Sequence, residues 1–275
     1  MNDASDAAYY ESQYRNRPAV PDHPRILARW EAASDEARRV LACRTGLRYG
    51  AHEMQTLDLY PAQGECRAAL VFIHGGYWMA MDKREHGFVA LELARRGVTV
   101  LVPNYALCPA VAVEDIVRQI LELGEWLHGH AAELGVPRER LYVSGHSAGG
   151  HLTAMALAAA TPFKGGFAIS GIYDLRELVK VPSVNANLRL DVPKALKVSP
   201  MFLPPATDAP LYLAVGGDEL PPFRGQQQQL ARKWKAVVAE NAVLPGENHY
   251  SILLQLLDTE SALFRSDARM IGLPL

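Results

Sequence analysis

Five short, continuously apolar runs recur along the chain, and they constrain its fold more than any other feature. They are Ala69-Leu70-Val71-Phe72-Ile73, Val98-Thr99-Val100-Leu101-Val102, Leu141-Tyr142-Val143, Phe167-Ala168-Ile169 and Leu211-Tyr212-Leu213-Ala214-Val215, each closed by a nearby Gly, Pro or Ser. A strand exposed on one face alternates apolar and polar residues, whereas a strand covered on both faces stays apolar throughout. Helical periodicity fills the intervals. It is clearest at Val113, Ile116, Val117, Ile120, Gly124 and Leu127, whose spacings of three and four build one buried face. Alternating strand and helix predicts an α/β fold: a mostly parallel central sheet with helices on both faces.

The segments outside this rhythm carry their own expectations. Residues 1–45 run through Pro18, Pro21 and Pro24 and then Ile26, Leu27, Trp30, Ala33, Ala37 and Val40, the pattern of an N-terminal helical arm packed on the body. Leu47 to Tyr60 reads as an edge hairpin that Pro61 ends. Residues 174–208 hold five prolines and only a weak helical stretch near Val192–Val198. An insertion of that length reads either as a partial cap or as a plain loop. Gln226–Gln229 begins the exposed side of a helix expected to reach Glu240. All 275 residues are read as one domain.

Charge and cysteine usage narrow the function. With 28 basic and 30 acidic side chains, the net charge of −2 supplies no basic face for a phosphate backbone, so nucleic acid is not an expected partner. Residues 1–20 contain Asp3, Asp6, Glu11, Arg15 and Arg17, and no apolar run suited to a secretory signal. No apolar stretch approaches the roughly 20 residues that span a bilayer. Three cysteines, Cys43, Cys66 and Cys108, are odd in number and lack a C-x-x-C pair, which fits a reducing compartment. A cytoplasmic protein without membrane contact is expected. The oligomeric state is left open, a homodimer included.

The chemistry concentrates at the ends of the apolar runs. Gly145-His146-Ser147-Ala148-Gly149 lies between the run Leu141–Val143 and the helix-forming Leu152–Leu157, so a G-x-S-x-G sits in a strand, tight turn, helix context. Such a turn projects the Ser147 hydroxyl above the sheet edge, and only small residues fit two positions to either side. It also frees the Ala148 N–H, at a helix start, to face an anionic oxygen. His74-Gly75-Gly76-Tyr77-Trp78 follows another strand, and its Gly75 and Gly76 N–H groups are candidates for the rest of an oxyanion hole.

A serine needs a base, and the base needs an acid to orient it. Beyond Ser147 the chain has two histidines. His151 lies on the helix after the turn and is expected to point elsewhere, so His249, in the polar loop Pro245–Tyr250, is the candidate base. Asp218 and Glu219 both follow the run Leu211–Val215, and from the chemistry alone either is a candidate acid. His146 reads as a packing or supporting residue. His128 and His130 face different ways on a helix, without an H-E-x-x-H or a cysteine set. No metal and no cofactor are expected, because the glycines of 145–150 lack the lysine of a phosphate loop.

Taken together, His74–Trp78, Gly145–Gly150 with His151-Leu152, Ser170-Gly171-Ile172-Tyr173-Asp174-Leu175, Ser199-Pro200 and Asn248-His249 resemble the kynurenine formamidase (arylformamidase) branch of the α/β-hydrolases. This branch lies near the hormone-sensitive-lipase-like carboxylesterases. The likeness runs from about Tyr14 to the C-terminus. H-G-G alone is common among esterases; H-G-G-Y-W with S-G-I-Y-D-L and S-P is more specific. The resemblance implies an α/β-hydrolase fold and a triad of Ser147, an acid and His249. In that branch the acid commonly stands four residues before an aromatic or aliphatic residue and seven before a glutamine. Phe223 and Gln226 then select Glu219, which is the expected acid, while the broader Asp-x-Leu pattern keeps Asp218, with Leu220, as the alternate.

The implied substrate is a small aromatic formamide, such as N-formylkynurenine, or an ester. Tyr77, Trp78, Tyr105, Tyr173 and Tyr250 end or follow strand segments on one side of the sheet and are candidates for an aromatic substrate-binding lining, two or three of them expected to face the pocket and the others to pack in the core. Arg176 and Lys180 are the cations nearest the insertion and are candidates for a substrate carboxylate. Two other readings remain: a broad carboxylesterase on short acyl esters, and a non-catalytic protein that keeps the fold as a ligand receptor.

Overall fold

The computed structural model describes residues 3–274, so the first two residues of the expected arm lie outside it. Eight strands form one sheet: β1 (Arg44–Arg48), β2 (Thr56–Tyr60), β3 (Ala68–Ile73), β4 (Val98–Pro103), β5 (Leu141–His146), β6 (Gly166–Ile169), β7 (Leu211–Gly216) and β8 (Val238–Leu244). Their spatial order is β1-β2-β4-β3-β5-β6-β7-β8. β1 pairs with β2, and β2 with β4, in antiparallel fashion; all later pairs are parallel. The five apolar runs thus form the inner strands β3 to β7, and the expected hairpin lies at one edge.

Side-chain alternation splits these strands between two cores. Ala69, Val71 and Ile73 of β3, Val143 of β5 and Leu213 of β7 face one side. There they meet α5 (Val113–Leu134), α6 (Ala148–Leu157) and α9 (Pro221–Lys233) through Ile116, Ile120, Leu152 and Leu230. Leu70 and Phe72 of β3, Val100 of β4 and Phe167 of β6 face the other side. They pack against α3 (His23–Val40), α4 (Ala90–Arg95) and α10 (Ala262–Ile271) through Trp30, Leu93 and Phe264. Covering on both faces is why these strands carry no polar alternation.

Ahead of α3, the N-terminal residues form α1 (Asp3–Tyr14) and the single turn α2 (Asn16–Ala19). Between β6 and β7 the chain is mostly helical, with a 3-10 turn at Glu177–Lys180, α7 (Pro182–Leu188), α8 (Val192–Lys197) and a second 3-10 turn at Pro200–Phe202. Three of the five prolines in that stretch, Pro182, Pro193 and Pro200, stand in the first turn of a helical element. Proline is favoured there because it has no N–H to leave unsatisfied. α9 ends at Lys233, short of the expected Glu240, since Val238–Leu244 pairs with β7 as the edge strand β8.

The topology locates a crevice. The chain leaves β3 toward β4 on one side and returns as β5 on the other, so the strand order reverses at β3. Loops after the carboxyl ends of the strands diverge at such a point and leave a gap for a ligand. The loops here are His74–Trp78 after β3 and the turn carrying Ser147 after β5. No helix among the described residues is long and apolar enough to cross a membrane.

Candidate active site

Ser147 stands between β5 and α6 with φ 58° and ψ −116°, a conformation that L-residues rarely adopt. The surroundings over-determine it. The Ser147 N–H donates to the Ile169 carbonyl at 2.8 Å, and its own carbonyl accepts from His151 N–H at 3.0 Å. Gly149 permits the close approach of α6 to β3, since a Cβ there would lie 1.9 Å from the Ile73 carbonyl oxygen.

From Ser147 a line of hydrogen bonds runs inward. Its Oγ lies 3.0 Å from His249 Nε2, and His249 Nδ1 lies 2.7 Å from Glu219 Oε2. The His249 ring is 5% exposed and the Glu219 side chain is fully buried, so the pair is shielded from competing water. Glu219 Oε1 accepts two further donors, the Gly216 N–H at 2.7 Å and the Ser170 hydroxyl. With the carboxylate accepting the Nδ1 proton, Nε2 is left as the acceptor for the Ser147 hydroxyl.

Of the two adjacent carboxylates, only Glu219 reaches His249. Asp218 is exposed, and its N–H donates to the Glu247 carbonyl at 3.0 Å, so the turn directs its side chain outward. The loop holding His249 is fixed by Asn248, whose Oδ1 accepts the N–H groups of Tyr250 at 2.9 Å and Ser251 at 3.0 Å. His146 secures it from below: Nε2–H donates to the His249 carbonyl at 2.8 Å, and the two rings lie 4.7 Å apart. Burial, reinforced by the neighbouring His249, holds His146 well below its ordinary pKa. Burial likewise lowers His74 to about 4 and His86 to about 3. These neutral rings add no positive charge beside His249.

The N–H groups of Gly75, Gly76 and Ala148 donate to no protein acceptor among the described residues. Gly75 lies against the nucleophile turn, since a Cβ there would be 3.1 Å from Ser147 Cβ. Gly76 has φ +99°, and a Cβ would sit 2.2 Å from the Ala80 carbonyl oxygen, so no other residue fits without moving the loop. Unpaired amides beside a serine can stabilise an oxyanion on an attacked carbonyl.

A cavity of about 280 Å³ opens over Ser147, His249 and Gly76. Tyr77 and Tyr250 line it. Trp78, Tyr105 and Tyr173 do not; all three are fully buried in the core. Trp78 meets His151 edge-on at 4.9 Å, and Tyr105 stacks on His74 at 4.4 Å while its hydroxyl donates to the His74 carbonyl at 3.0 Å. Tyr173 turns back over Gly171, where a Cβ would meet its ring at 2.6 Å. These three support the loops from beneath. Arg176 pairs with Asp174 at 2.7 Å, Lys180 lies 4.7 Å over the Tyr10 ring, and neither lines the cavity. His151 does point elsewhere, to the Val198 carbonyl at 2.6 Å.

The sequence reading missed the wall contributed by the N-terminal segment: Arg15, Asn16, Arg17 and Pro18, with Leu27 and Trp30 behind them. No motif announces these residues. It also missed Ser170 as the residue that anchors Glu219, although Ser170 opens the S-G-I-Y-D-L segment. Among the described residues no group of three or more His, Cys, Asp or Glu side chains is placed to hold a metal ion.

A family model for the alpha/beta hydrolase fold matches residues 70–187. A kynurenine formamidase of Drosophila melanogaster is 32% identical over 72% of this chain and 71% of its own length. The chain belongs to the kynurenine formamidase family. A kynurenine formamidase of Salmo salar is 29% identical and is matched over 96% of its length, covering 98% of this chain. Among solved structures, a candidate thioesterase from Silicibacter sp. TM1040 superposes with a TM-score of 0.82 at 29% identity, covering 93% of this chain and 97% of its own. The family's likeness spans the segments before β3 and after β7 as well as the sheet, so it includes the loops that bring Ser147, Glu219 and His249 together.

Proposed function

We propose that the protein is a serine hydrolase that removes the formyl group from N-formyl aromatic amines, with N-formylkynurenine as its model substrate. The observation that carries this reading is the continuous contact from Ser147 Oγ to His249 Nε2 and from His249 Nδ1 to Glu219, beside three unpaired amides. In this reading Ser147, His249 and Glu219 are the catalytic triad. His249 Nε2 takes the Ser147 proton as Oγ attacks the formyl carbon, and the N–H groups of Gly75, Gly76 and Ala148 hold the developing oxyanion. The imidazolium then gives its proton to the departing nitrogen, and the C–N bond breaks. An arylamine is less basic than an alkylamine and departs with less protonation, so this amide lies within reach of esterase chemistry. Water, deprotonated by the same imidazole, attacks the formyl-enzyme; formate leaves and Ser147 regains its proton.

The kynurenine formamidase relatives support the formamide, and the Tyr77 and Tyr250 rings beside Ser147 suit a flat aromatic amine. A second reading, hydrolysis of short acyl esters or thioesters, is favoured by the likeness to the candidate thioesterase. A panel of N-formylkynurenine, formanilide, phenyl acetate and an acetyl thioester, run on the wild type and Ser147→Ala, separates the two. The formamidase reading expects the highest kcat/KM for N-formylkynurenine and loss of all turnover in the variant. Higher kcat/KM for phenyl acetate or the thioester would favour the second reading.

A further inference from the structure

The N-terminal wall of the cavity is chemically unlike the rest. Leu27, Trp30, Met79, Met81 and Val184 make most of the surround apolar, whereas Arg15, Asn16 and Arg17 present polar groups in succession. Arg15 is partly engaged, its Nε lying 3.7 Å from Glu11. Arg17 joins no ion pair with any carboxylate among the described residues. Arg17 and Tyr250 both line the cavity, and the Tyr250 ring lies 5.5 Å from that of His249. Asn16 is 5% exposed and lines the cavity, yet its side-chain amide bonds to no protein group among the described residues. A cavity-lining amide without a protein partner and a guanidinium outside any ion pair among the described residues form an incomplete hydrogen-bonding set on one wall, which a ligand carrying an anion would complete.

We propose that Arg17, helped by the Asn16 amide, holds the carboxylate of the substrate, so that the site selects N-formyl aromatic amines whose side chain ends in a carboxylate. The inference rests on the formamidase reading and deepens it. The reacting end is built by loops of the sheet and is indifferent to what lies beyond the aromatic ring. Discrimination between a plain formanilide and an amino-acid-type substrate then falls to the turn Asn16–Ala19. Tyr14, two residues before that turn, is held in place from both sides. The Tyr77 hydroxyl donates to the Tyr14 carbonyl, and Gln226 Nε2 donates to the Tyr14 hydroxyl at 2.9 Å while its Oε1 accepts the Tyr173 and Asp174 N–H groups at 2.8 Å. The wall is thereby tied to the loop bearing Gly75 and Gly76. Arginine suits the task because its planar fork pairs with both carboxylate oxygens.

The test is a ratio: kcat/KM for N-formylkynurenine over kcat/KM for formanilide, which share the scissile bond and differ in the carboxylate-bearing side chain. In Arg17→Ala the ratio is expected to fall about 10- to 100-fold, the range a charge-assisted hydrogen bond supports. Most of the loss should appear in KM, and Arg17→Lys should recover part of it. A smaller fall is expected in Asn16→Ala. A ratio that does not move in Arg17→Ala overturns the proposal, as does equal loss on both substrates.

A binding measurement keeps the proposal separate from the reaction. Calorimetric titration with 4-phenyl-4-oxobutanoate, an aryl ketone with a carboxylate and no scissile bond, is compared with butyrophenone, its neutral counterpart. Tighter binding of the acid by the wild type, abolished in Arg17→Ala, upholds the carboxylate site even if no N-formyl amine is hydrolysed, an outcome that would refute the formamidase reading alone. Equal binding of the two ketones by the wild type overturns the carboxylate site whatever the reaction.

Discussion

Replacing Glu219 by Gln tests the triad through a hydrogen-bond constraint visible in the structure. Glu219 Oε1 accepts both the Gly216 N–H and the Ser170 hydroxyl, and Oε2 accepts from His249 Nδ1. A glutamine has one oxygen and one NH₂ to offer these three donors. Placing the oxygen at the Oε1 position satisfies two donors, and the reverse places NH₂ against the Gly216 N–H, so the first orientation wins. The NH₂ then faces His249 Nδ1, which can accept it only as the other tautomer, with the proton on Nε2. That nitrogen can no longer take the Ser147 proton. The loss expected is about 10³- to 10⁴-fold in kcat, or about 4 to 5 kcal/mol in the barrier, the scale seen when a triad histidine is held in the wrong tautomer. KM should change little, because Glu219 does not line the cavity. The assay is steady-state hydrolysis of formanilide, with Asp218→Asn in parallel. Asp218 is exposed and touches neither His249 nor Ser147, so its variant is expected within about twofold of the wild type. Equal losses in the two variants, or a Glu219→Gln enzyme within tenfold of the wild type, would refute the reasoning.

Three other outcomes follow from the same geometry. Ser170→Ala removes one donor to Glu219 and should lower kcat about tenfold, with KM little changed, in the same assay; a loss confined to KM would contradict the assigned role. Gly76→Ala places a methyl 2.2 Å from the Ala80 carbonyl oxygen, so the loop must shift, and kcat is expected to fall about 10²-fold while circular dichroism stays that of the wild type. The third concerns acid stability. Burial lowers His74 and His151 to about 4 and His86 to about 3 from an ordinary 6.5, so below pH 6.5 the unfolded chain binds more protons than the folded one. Their contribution is fully present above pH 6.5 and is lost as the pH falls toward 4. Asp267, pushed up to about 7 by burial, works in the opposite sense: its contribution is present below its ordinary 3.8 and is lost as the pH rises through 7. Thermal melts should therefore show Tm falling from pH 6.5 to 4, and Asp267→Asn should raise Tm at pH 8 relative to pH 5. A Tm that rises on acidification would contradict the neutral histidines.

The inner sheet was legible because strands β3 to β7 are covered on both faces and so carry uninterrupted apolar runs. The edge strand β8 was not: Val238-Ala239-Glu240-Asn241 alternates partly buried and exposed positions, and its polar residues read as the end of a helix. The prolines of residues 174–208 suggested broken structure, but three of them begin helical turns. At the site, Ser147 and His249 could be selected from local context and elimination. Local chemistry alone left the acid open because Asp218 and Glu219 are adjacent; the family spacing to Phe223 and Gln226 favoured Glu219, and the turn after Gly216 is what points that side chain inward. The aromatic residues were the least legible. Placement at a strand end does not say whether a ring faces the cavity, as with Tyr77 and Tyr250, or turns beneath the loops, as with Trp78, Tyr105 and Tyr173. The wall from Arg15 to Pro18 is distant in sequence from every motif, and its place beside the cavity follows only from packing that ties the adjoining Tyr14 to Tyr77 and Gln226.

The claim on which the mechanism depends is that Ser147 forms the covalent intermediate. Mass spectrometry of the intact chain and its peptides after treatment with a fluorophosphonate tests it directly, with formanilide hydrolysis followed in the same samples. The structure predicts one adduct per chain, located on Ser147, accumulating in step with loss of activity and absent from Ser147→Ala. An adduct on another serine that accounts for the lost activity, or full activity with Ser147 modified, would contradict it.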